Sequence, residues 1–313
     1  MNDTEQLVKE ALGKLAERTP HPGPTLNALR RKRKRQRNNI FLIATAGMAA
    51  VAVLIFAGAI ASDRYTPPSH NDAAAALMPG NGQSVALKYT PHWLPDGFVE
   101  TLRAANEDGT TARVWVPSDA PADAPSGDGP QVQLGGGMSY AGGPDGWQDT
   151  TVRGLKARVQ EYAGKAVVEW KAQVTLVVQV SGMDRLKETA LRVADSVRAD
   201  SDATFQAPFK VKGKPANEFR GTGPGDWSAR LSPAPVDVTV FSDGPDLTGK
   251  QTAPVTVRGK QGVLVDGRVV VQEGNLWIST ISTVPGKSVD DLVAAVNDVE
   301  IASNVDTGWI RKR

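Results

Sequence analysis

Thr151-Val152-Arg153-Gly154 leads into LKARVQEY (155–162), and Thr256-Val257-Arg258-Gly259 leads into a second strand-like run, GVLVD (262–266). The four letters recur 105 residues apart, and the segments downstream of them recur in kind. AVVEW (166–170) and VTLVVQV (174–180) come after the first copy; RVVVQE (268–273) and LWISTIS (276–282) come after the second. These runs are rich in β-branched and aromatic residues and bounded by Gly and Asp, which predicts strands. Each copy then ends in an amphipathic helix. Leu186, Ala190, Val193, Ala194 and Val197 share one face in the first. Val289, Leu292, Val293, Val296 and Val299 do so in the second, behind a Ser288/Asp291 capping signal. The expectation is an α+β fold of two repeated domains, residues 85–201 and 202–305, each an antiparallel sheet with a C-terminal helix. Residues 306–313 would be a free basic end.

Upstream of the first repeat the chemistry changes. Residues 62–84 are rich in Pro, Ala, Asn and Gly and read as a spacer. Residues 40–61, IFLIATAGMAAVAVLIFAGAIA, carry no charge and as a helix reach roughly 33 Å, enough for a bilayer core of about 30 Å. Arg30, Arg31, Lys32, Arg33, Lys34, Arg35 and Arg37 precede this run, and only Arg64 stands close behind it. That asymmetry predicts a single transmembrane helix with a cytoplasmic N-terminus and extracytoplasmic domains, the cations facing anionic lipid of the bilayer. Cleavage after Ala59-Ile60-Ala61 is the alternative; the long N-terminal region and long apolar run favour an anchor.

Within residues 1–39, Asp3 and Gln6 form a capping signal, and Leu7, Val8, Ala11, Leu12 and Leu15 fall on one helical face. An isolated helix of about 15 residues is marginal in water, so this stripe is the candidate surface for a cytosolic regulatory protein.

Composition excludes several classes. The chain has no cysteine, hence no disulfide or thiolate chemistry. Its net charge of +2 is uneven: residues 1–39 hold the basic excess and the remainder is acidic, so no nucleic-acid-binding domain is expected. No His/Asp/Glu cluster has metal-ligand spacing, and no cofactor is expected. Gly244–Gln251 nearly spells a phosphate loop but ends in Gln251 and leads into a strand. Gly137–Ala141 approaches a nucleophile elbow around Ser139, with His92 the nearest candidate base, yet Gly142, Gly143 and Pro144 stand where a helix should begin. The acidic run Asp119–Asp128 lacks a calcium rhythm. The tryptophans read as core fillers.

Pro91-His92-Trp93-Leu94-Pro95-Asp96-Gly97-Phe98 resembles the P-x-x-L-P-x-G-F opening of bacterial extracytoplasmic domains of the DUF4367 type. Gly154, Ala157, Trp170 and Ala194-Asp195-Ser196-Val197 stand where such domains carry a G-x-x-A strand, a Trp hairpin and a terminal helix. The resemblance covers residues 88–200 and implies an anti-sigma-like architecture, with a sigma factor as the cytosolic partner. The functional expectation is therefore a non-enzymatic sensing protein whose outer domains bind an apolar or envelope ligand. The alternative is a tethered carrier or binding module without inward signalling.

Overall fold

Strand-forming runs in this chain are joined by X-Gly pairs that place both turn residues at positive φ. Arg153-Gly154 lies at 51° and 78°, and Arg258-Gly259 at 55° and 72°. Two consecutive left-handed residues make a two-residue turn whose twist matches that of antiparallel strands, and glycine takes the second position without strain.

The structure, a computed structural model, describes residues 84–120, 129–140 and 146–312. The first half contains β1 (Val85–Ala86), β2 (Tyr89–Pro91), β3 (Phe98–Ala105), β4 (Thr111–Pro117), β5 (Gln131–Gly136), β6 (Gln148–Val152), β7 (Leu155–Tyr162), β8 (Lys165–Lys171) and β9 (Thr175–Ser181). Helix α1 (Leu186–Ser196) and β10 (Val197–Ala199) close it. The second half runs through β11 (Thr204–Phe205), β12 (Phe209–Val211), β13 (Lys214–Pro215), β14 (Glu218–Gly223), β15 (Asp226–Leu231) and β16 (Val236–Phe241). It continues with β17 (Thr252–Val257), β18 (Lys260–Val265), β19 (Arg268–Glu273), β20 (Leu276–Ser282), α2 (Val289–Asn297) and β21 (Val299–Ile301).

Fourteen of these strands form one antiparallel sheet, ordered β17-β18-β19-β20-β16-β15-β14-β3-β4-β5-β9-β8-β7-β6. Outward from the β14–β3 seam, both sides repeat one scheme: three strands in sequence, then a return through the last strand of a meander.

Each half packs one short helix on one face of its strands. Ala190, Val193 and Ala194 of α1 join Trp115, Val159, Val168, Trp170, Val178 and Val180 in one core. Leu292 and Val296 of α2 join Phe219, Trp227, Val240, Val271 and Ile278 in another. Each large aliphatic or aromatic side chain so buried contributes about 1.5–3 kcal/mol. The helix ends are tied to the X-Gly turns. The Arg153 N–H donates to Asp195 Oδ1 (3.0 Å) and its guanidinium to the Val197 carbonyl (3.3 Å). Arg258 repeats this with Asn297 Oδ1 (3.0 Å) and the Val299 carbonyl (2.7 Å). Carbonyls beyond the last helical turn lack intrahelical donors, and these arginines supply them.

The seam is short. Direct pairing joins Glu218, Phe219 and Arg220 to Ala104, Arg103 and Leu102. Beyond it the C-terminal residues take over: the Glu100 N–H donates to the Lys312 carbonyl and the Arg311 N–H to the Glu100 carbonyl, both 2.8 Å. Trp309 packs edge-on against Phe219 with ring centres 5.4 Å apart. Beneath the seam, the Glu100 carboxylate accepts two hydrogen bonds each from Arg103 (3.0 and 2.9 Å) and Arg113 (2.6 and 2.8 Å). The Thr204 carbonyl takes a further Arg103 donor, and the Tyr89 carbonyl with Thr90 Oγ1 takes those of Arg113.

This topology corrects the expected fold class. The described chain is mostly β, with helices of 11 and 9 residues against one 14-stranded sheet, in place of two α+β domains with separate sheets. The physical reason lies at β3 and β14: each would otherwise expose an unpaired edge, and they satisfy one another. The free C-terminus is likewise corrected, since Trp309 and Ile310 are buried. The expected single-pass membrane protein, with its location in the cell membrane, is also overturned: no helix among the described residues is long and apolar enough to cross a membrane. The apolar run 40–61, the stripe Leu7, Val8, Ala11, Leu12 and Leu15, and the basic run 30–37 lie outside the described residues.

Candidate functional site

Alternate residues of a strand face opposite sides of a sheet, so the strands that send Val132, Val178, Val168 and Val159 to the core present a second, outer face. Across β5, β9, β8 and β7 the register aligns Gln133, Gln179, Val167 and Gln160 in one row on that face. A flanking row holds Gln131, Ser181, Lys165 and Tyr162, and the row on the other side holds Gly135, Val177, Glu169 and Arg158.

An outer face made of long amides would normally be solvated, yet Gln131, Gln133, Gln160 and Gln179 are only 2–6% exposed, and Val167 is fully buried. Gln131 Nε2 and Gln133 Oε1 are buried without a hydrogen-bond partner. Each such orphan costs about 1–3 kcal/mol relative to a satisfied group. Their residues stand two apart on one strand, a backbone spacing of about 7 Å, and one atom is a donor and the other an acceptor.

The connection from β5 to β6 contributes to this burial. Because β9, β8 and β7 lie between those strands, the chain must cross them. Met138 lies over Gly135: a Cβ on that glycine would stand 2.9 Å from its Sδ. The Tyr140 N–H donates to Glu169 Oε2 at 2.7 Å. The Tyr140 ring stands 5.9 Å from Tyr162 and 6.4 Å from Trp147. Arg158 lies 4.2 Å over the Trp147 ring and pairs with Glu169 at 2.7 Å. Residues 137–140 and 146–147 thus form the described ends of a strap bearing two aromatic rings.

Burial raises the Glu169 carboxyl above the ordinary carboxylate range, against the opposing pull of Arg158. Burial also raises the Tyr162 phenol. The face therefore offers amide donors and acceptors, a self-compensated ion pair and half-buried aromatic rings.

The residues singled out from the sequence are dispersed. Ser139 stands on the strap, whereas the His92 N–H donates to the Ser196 carbonyl beside α1; no hydrogen bond joins their side chains among the described residues. Gly244–Gln251 forms turns, with Asp246 Oδ1 accepting from the Thr248 N–H and Lys250 paired to Asp266. Of the acidic run, residues 121–128 lie outside the described set. No group of three His, Asp or Glu that could hold a metal occurs among the described residues. Trp115, Trp170 and Trp227 fill cores, but Trp93, Trp147 and Trp277 are half-buried.

The open cleft beside α1, about 200 Å³, is lined by Trp93, Asp184, Arg185, Glu188, Thr189 and Arg192. Its charged groups suit an apolar ligand poorly. The resemblance motif closes locally: Ser196 Oγ donates to the Trp93 carbonyl, and Val197 pairs with Pro91.

Sequence reasoning missed the amide row. Its trace is visible in QVQLG (131–135), ARVQEY (157–162) and VVQV (177–180), where Gln interrupts apolar strands at alternate positions. No family model matches the chain, and no curated protein matches it.

Proposed function

We propose that the chain is a binding module without catalytic chemistry, and that its ligand sits on the strap-covered outer face of the first half-sheet. The observation that carries this reading is the unpaired pair Gln131 Nε2 and Gln133 Oε1, buried on one side of one strand. A buried donor and acceptor left open on neighbouring outward positions, at a cost to stability, suit a ligand-holding face; the second half leaves a single such atom there, Asp237 Oδ1 in the place of Gln131. Tyr140, Trp147 and Tyr162 add rigid contact area around the row.

Saturation-transfer NMR of the full chain against a library of small polar compounds tests it. Compounds bound by the wild type and lost in Gln133→Leu, with an unchanged circular dichroism spectrum, support the reading. A library without a Gln133-dependent binder removes it.

The N-terminal stripe of Leu7, Val8, Ala11, Leu12 and Leu15 favours a second element, a partner protein that regulates or is regulated by ligand binding. Affinity capture with the full chain should recover a protein that Leu7→Asp/Leu12→Asp loses; equal recovery from both forms rules that element out.

A further inference from the structure

We propose that the seam between the half-sheets is a peptide groove, closed in cis by residues 306–312 and able to take the same segment from a second copy of the chain. This site is separate from the amide face and does not depend on it. The groove arises where β3 and β14 part. Their direct pairing stops at Leu102 and Arg220. Just beyond, β3 shifts register against β4 between Glu100 and Leu102, and β14 shifts against β15 between Gly221 and Gly223. The main-chain groups of Glu100 therefore meet Lys312 and Arg311 in place of β14, both at 2.8 Å.

Both walls of the groove are supported from outside the segment. Arg103 is fixed by the Glu100 carboxylate and the Thr204 carbonyl. Phe219 stands edge-on to Trp227, with ring centres 5.3 Å apart. Into this site the segment sends three anchors. Trp309 lies under Arg103 at 4.6 Å and edge-on to Phe219. Ile310 fills the space over Gly221, where a Cβ would stand 2.7 Å from its Cδ1. The Arg311 guanidinium donates to the Thr222 carbonyl at 3.1 Å and to the Ser118 carbonyl. A buried aromatic, a forked arginine and main-chain bonds to a strand are how a sheet edge recognises a peptide.

The segment carries its own shape. Asp306 Oδ1 accepts from the Gly308 N–H at 2.9 Å, and the Ile310 and Lys312 N–H groups donate to the Thr307 and Trp309 carbonyls, both at 3.1 Å. A segment folded by its own turns loses less freedom on binding than an extended one. Arg311 lies at φ 60°, a conformation that a non-glycine residue keeps when surrounding contacts fix it. Asp306, Gly308 and Lys312 are exposed while Trp309 and Ile310 are buried, so the segment lies at the surface with its anchors inward. Tethering gives the cis segment a high effective concentration, and a copy in trans enters once the cis anchors are weakened.

The experiment follows the fluorescence anisotropy of a labelled synthetic peptide of residues 303–313, standing for the segment of a second copy, as the full chain is added. The Trp309→Ala chain, whose own segment has lost its aromatic anchor, should bind the peptide at least about tenfold more tightly than the wild type does. Peptides carrying Trp309→Ala or Arg311→Ala should bind that chain at least about tenfold more weakly than the native peptide. Should the Trp309→Ala chain fail to fold by circular dichroism, the Arg311→Ala chain takes its place, with the same order of affinities expected. A folded variant that binds no peptide overturns the groove. Equal binding by wild type and variant overturns closure in cis, and binding indifferent to the peptide's Trp309 overturns the assignment to the seam.

Discussion

The two halves of the sheet share one strand order but not one outer face. Where the first half aligns Gln133, Gln179, Val167 and Gln160, the second aligns Thr239, Ser279, Val270 and Val263 at the same places in its order. The next row contrasts too: Gly135, paired with Val177, carries Met138 above it, whereas Phe241 and Trp277 are large, and a Cβ on Gly244 would stand 3.0 Å from the Trp277 ring. On the core side the halves agree, each with a short helix over Val-rich strands. The second half shares one trait of that face, a buried unpaired atom at Asp237 Oδ1 in the place of Gln131, so the contrast lies in the run of long amides and the aromatic strap ends beside it.

The largest test of the comparison lies at the seam, where charge is also unevenly shared. Glu100 is buried and holds two arginines, so Glu100→Ala leaves two uncompensated guanidinium groups and should cost about 3–5 kcal/mol in urea unfolding. Glu218 holds one arginine, whose side chain is 24% exposed, and Glu218→Ala should cost about 1 kcal/mol or less. Equal losses would mean the seam does not depend on the first half's ion cluster. Trp309→Ala should cost about 3–5 kcal/mol, because it empties a site against Phe219 and removes the ring over which Arg103 lies at 4.6 Å. A truncated chain with wild-type stability would make the C-terminal pairing to Glu100 incidental.

A smaller effect should be nearly symmetric, with a slight excess at Arg258, which also pairs with Glu273 at 3.2 Å and donates to the Val296 carbonyl. Arg153→Ala and Arg258→Ala each remove a guanidinium donor to carbonyls just past a helix, and each should cost about 1 kcal/mol. Both native residues also sit at positive φ, which alanine tolerates no better, so strain does not separate them. A larger loss at Arg153, or a difference above about 1 kcal/mol, would show that the repeated T-V-R-G turns serve different purposes in the two halves.

These arginines mark how much of the fold was legible. The T-V-R-G recurrence, the strand runs after it and the Ser288/Asp291 cap are all local, and β7, β9, β19 and β20 fall on or within a residue of the runs that predict them. What a strand pairs with is not local. Nothing in FVETLRAA (98–105) or EFRGTG (218–223) says that these segments meet, so one sheet reads as two. The C-terminal W-I-R-K resembles any basic tail until Gly221 leaves room for Ile310, a Cβ there standing 2.7 Å from the isoleucine. The amide row was hidden for a related reason. A glutamine at an alternate position of a strand is the ordinary sign of a solvated face, and only the crossing of β9, β8 and β7 by the strap makes it a buried one.

The outer faces themselves give a subtler contrast in stability. Gln133→Leu exchanges an unsatisfied buried amide for an apolar side chain of similar size, and should leave stability unchanged or raise it by about 1 kcal/mol. Thr239→Val, at the matching place in the second half, should move it by less than about 0.5 kcal/mol. A loss above about 2 kcal/mol from Gln133→Leu would show the amide to be structural, and would weaken the case for a ligand there.

The last distinction is one of pH. Glu169 has no carboxylate counterpart: Gln272 stands at the same place in the second half. Its folded-state pKa lies above its unfolded value because burial penalises the charged form. The folded protein therefore holds this proton more tightly than the unfolded chain. Stability arising from the protonated group is fully present below the ordinary carboxylate range and declines as pH rises through the raised folded value. Glu169→Gln cannot titrate, so the stability of the wild type minus that of the variant should fall across this window and then level off. The decline should be small, since Arg158 opposes the burial penalty and its side chain is 42% exposed. A difference that rises with pH over the same window would mean that Arg158 outweighs burial. The strap would then be held through Tyr140 by a fully ionised pair, and the first half's outer face would be more polar than its amide row implies.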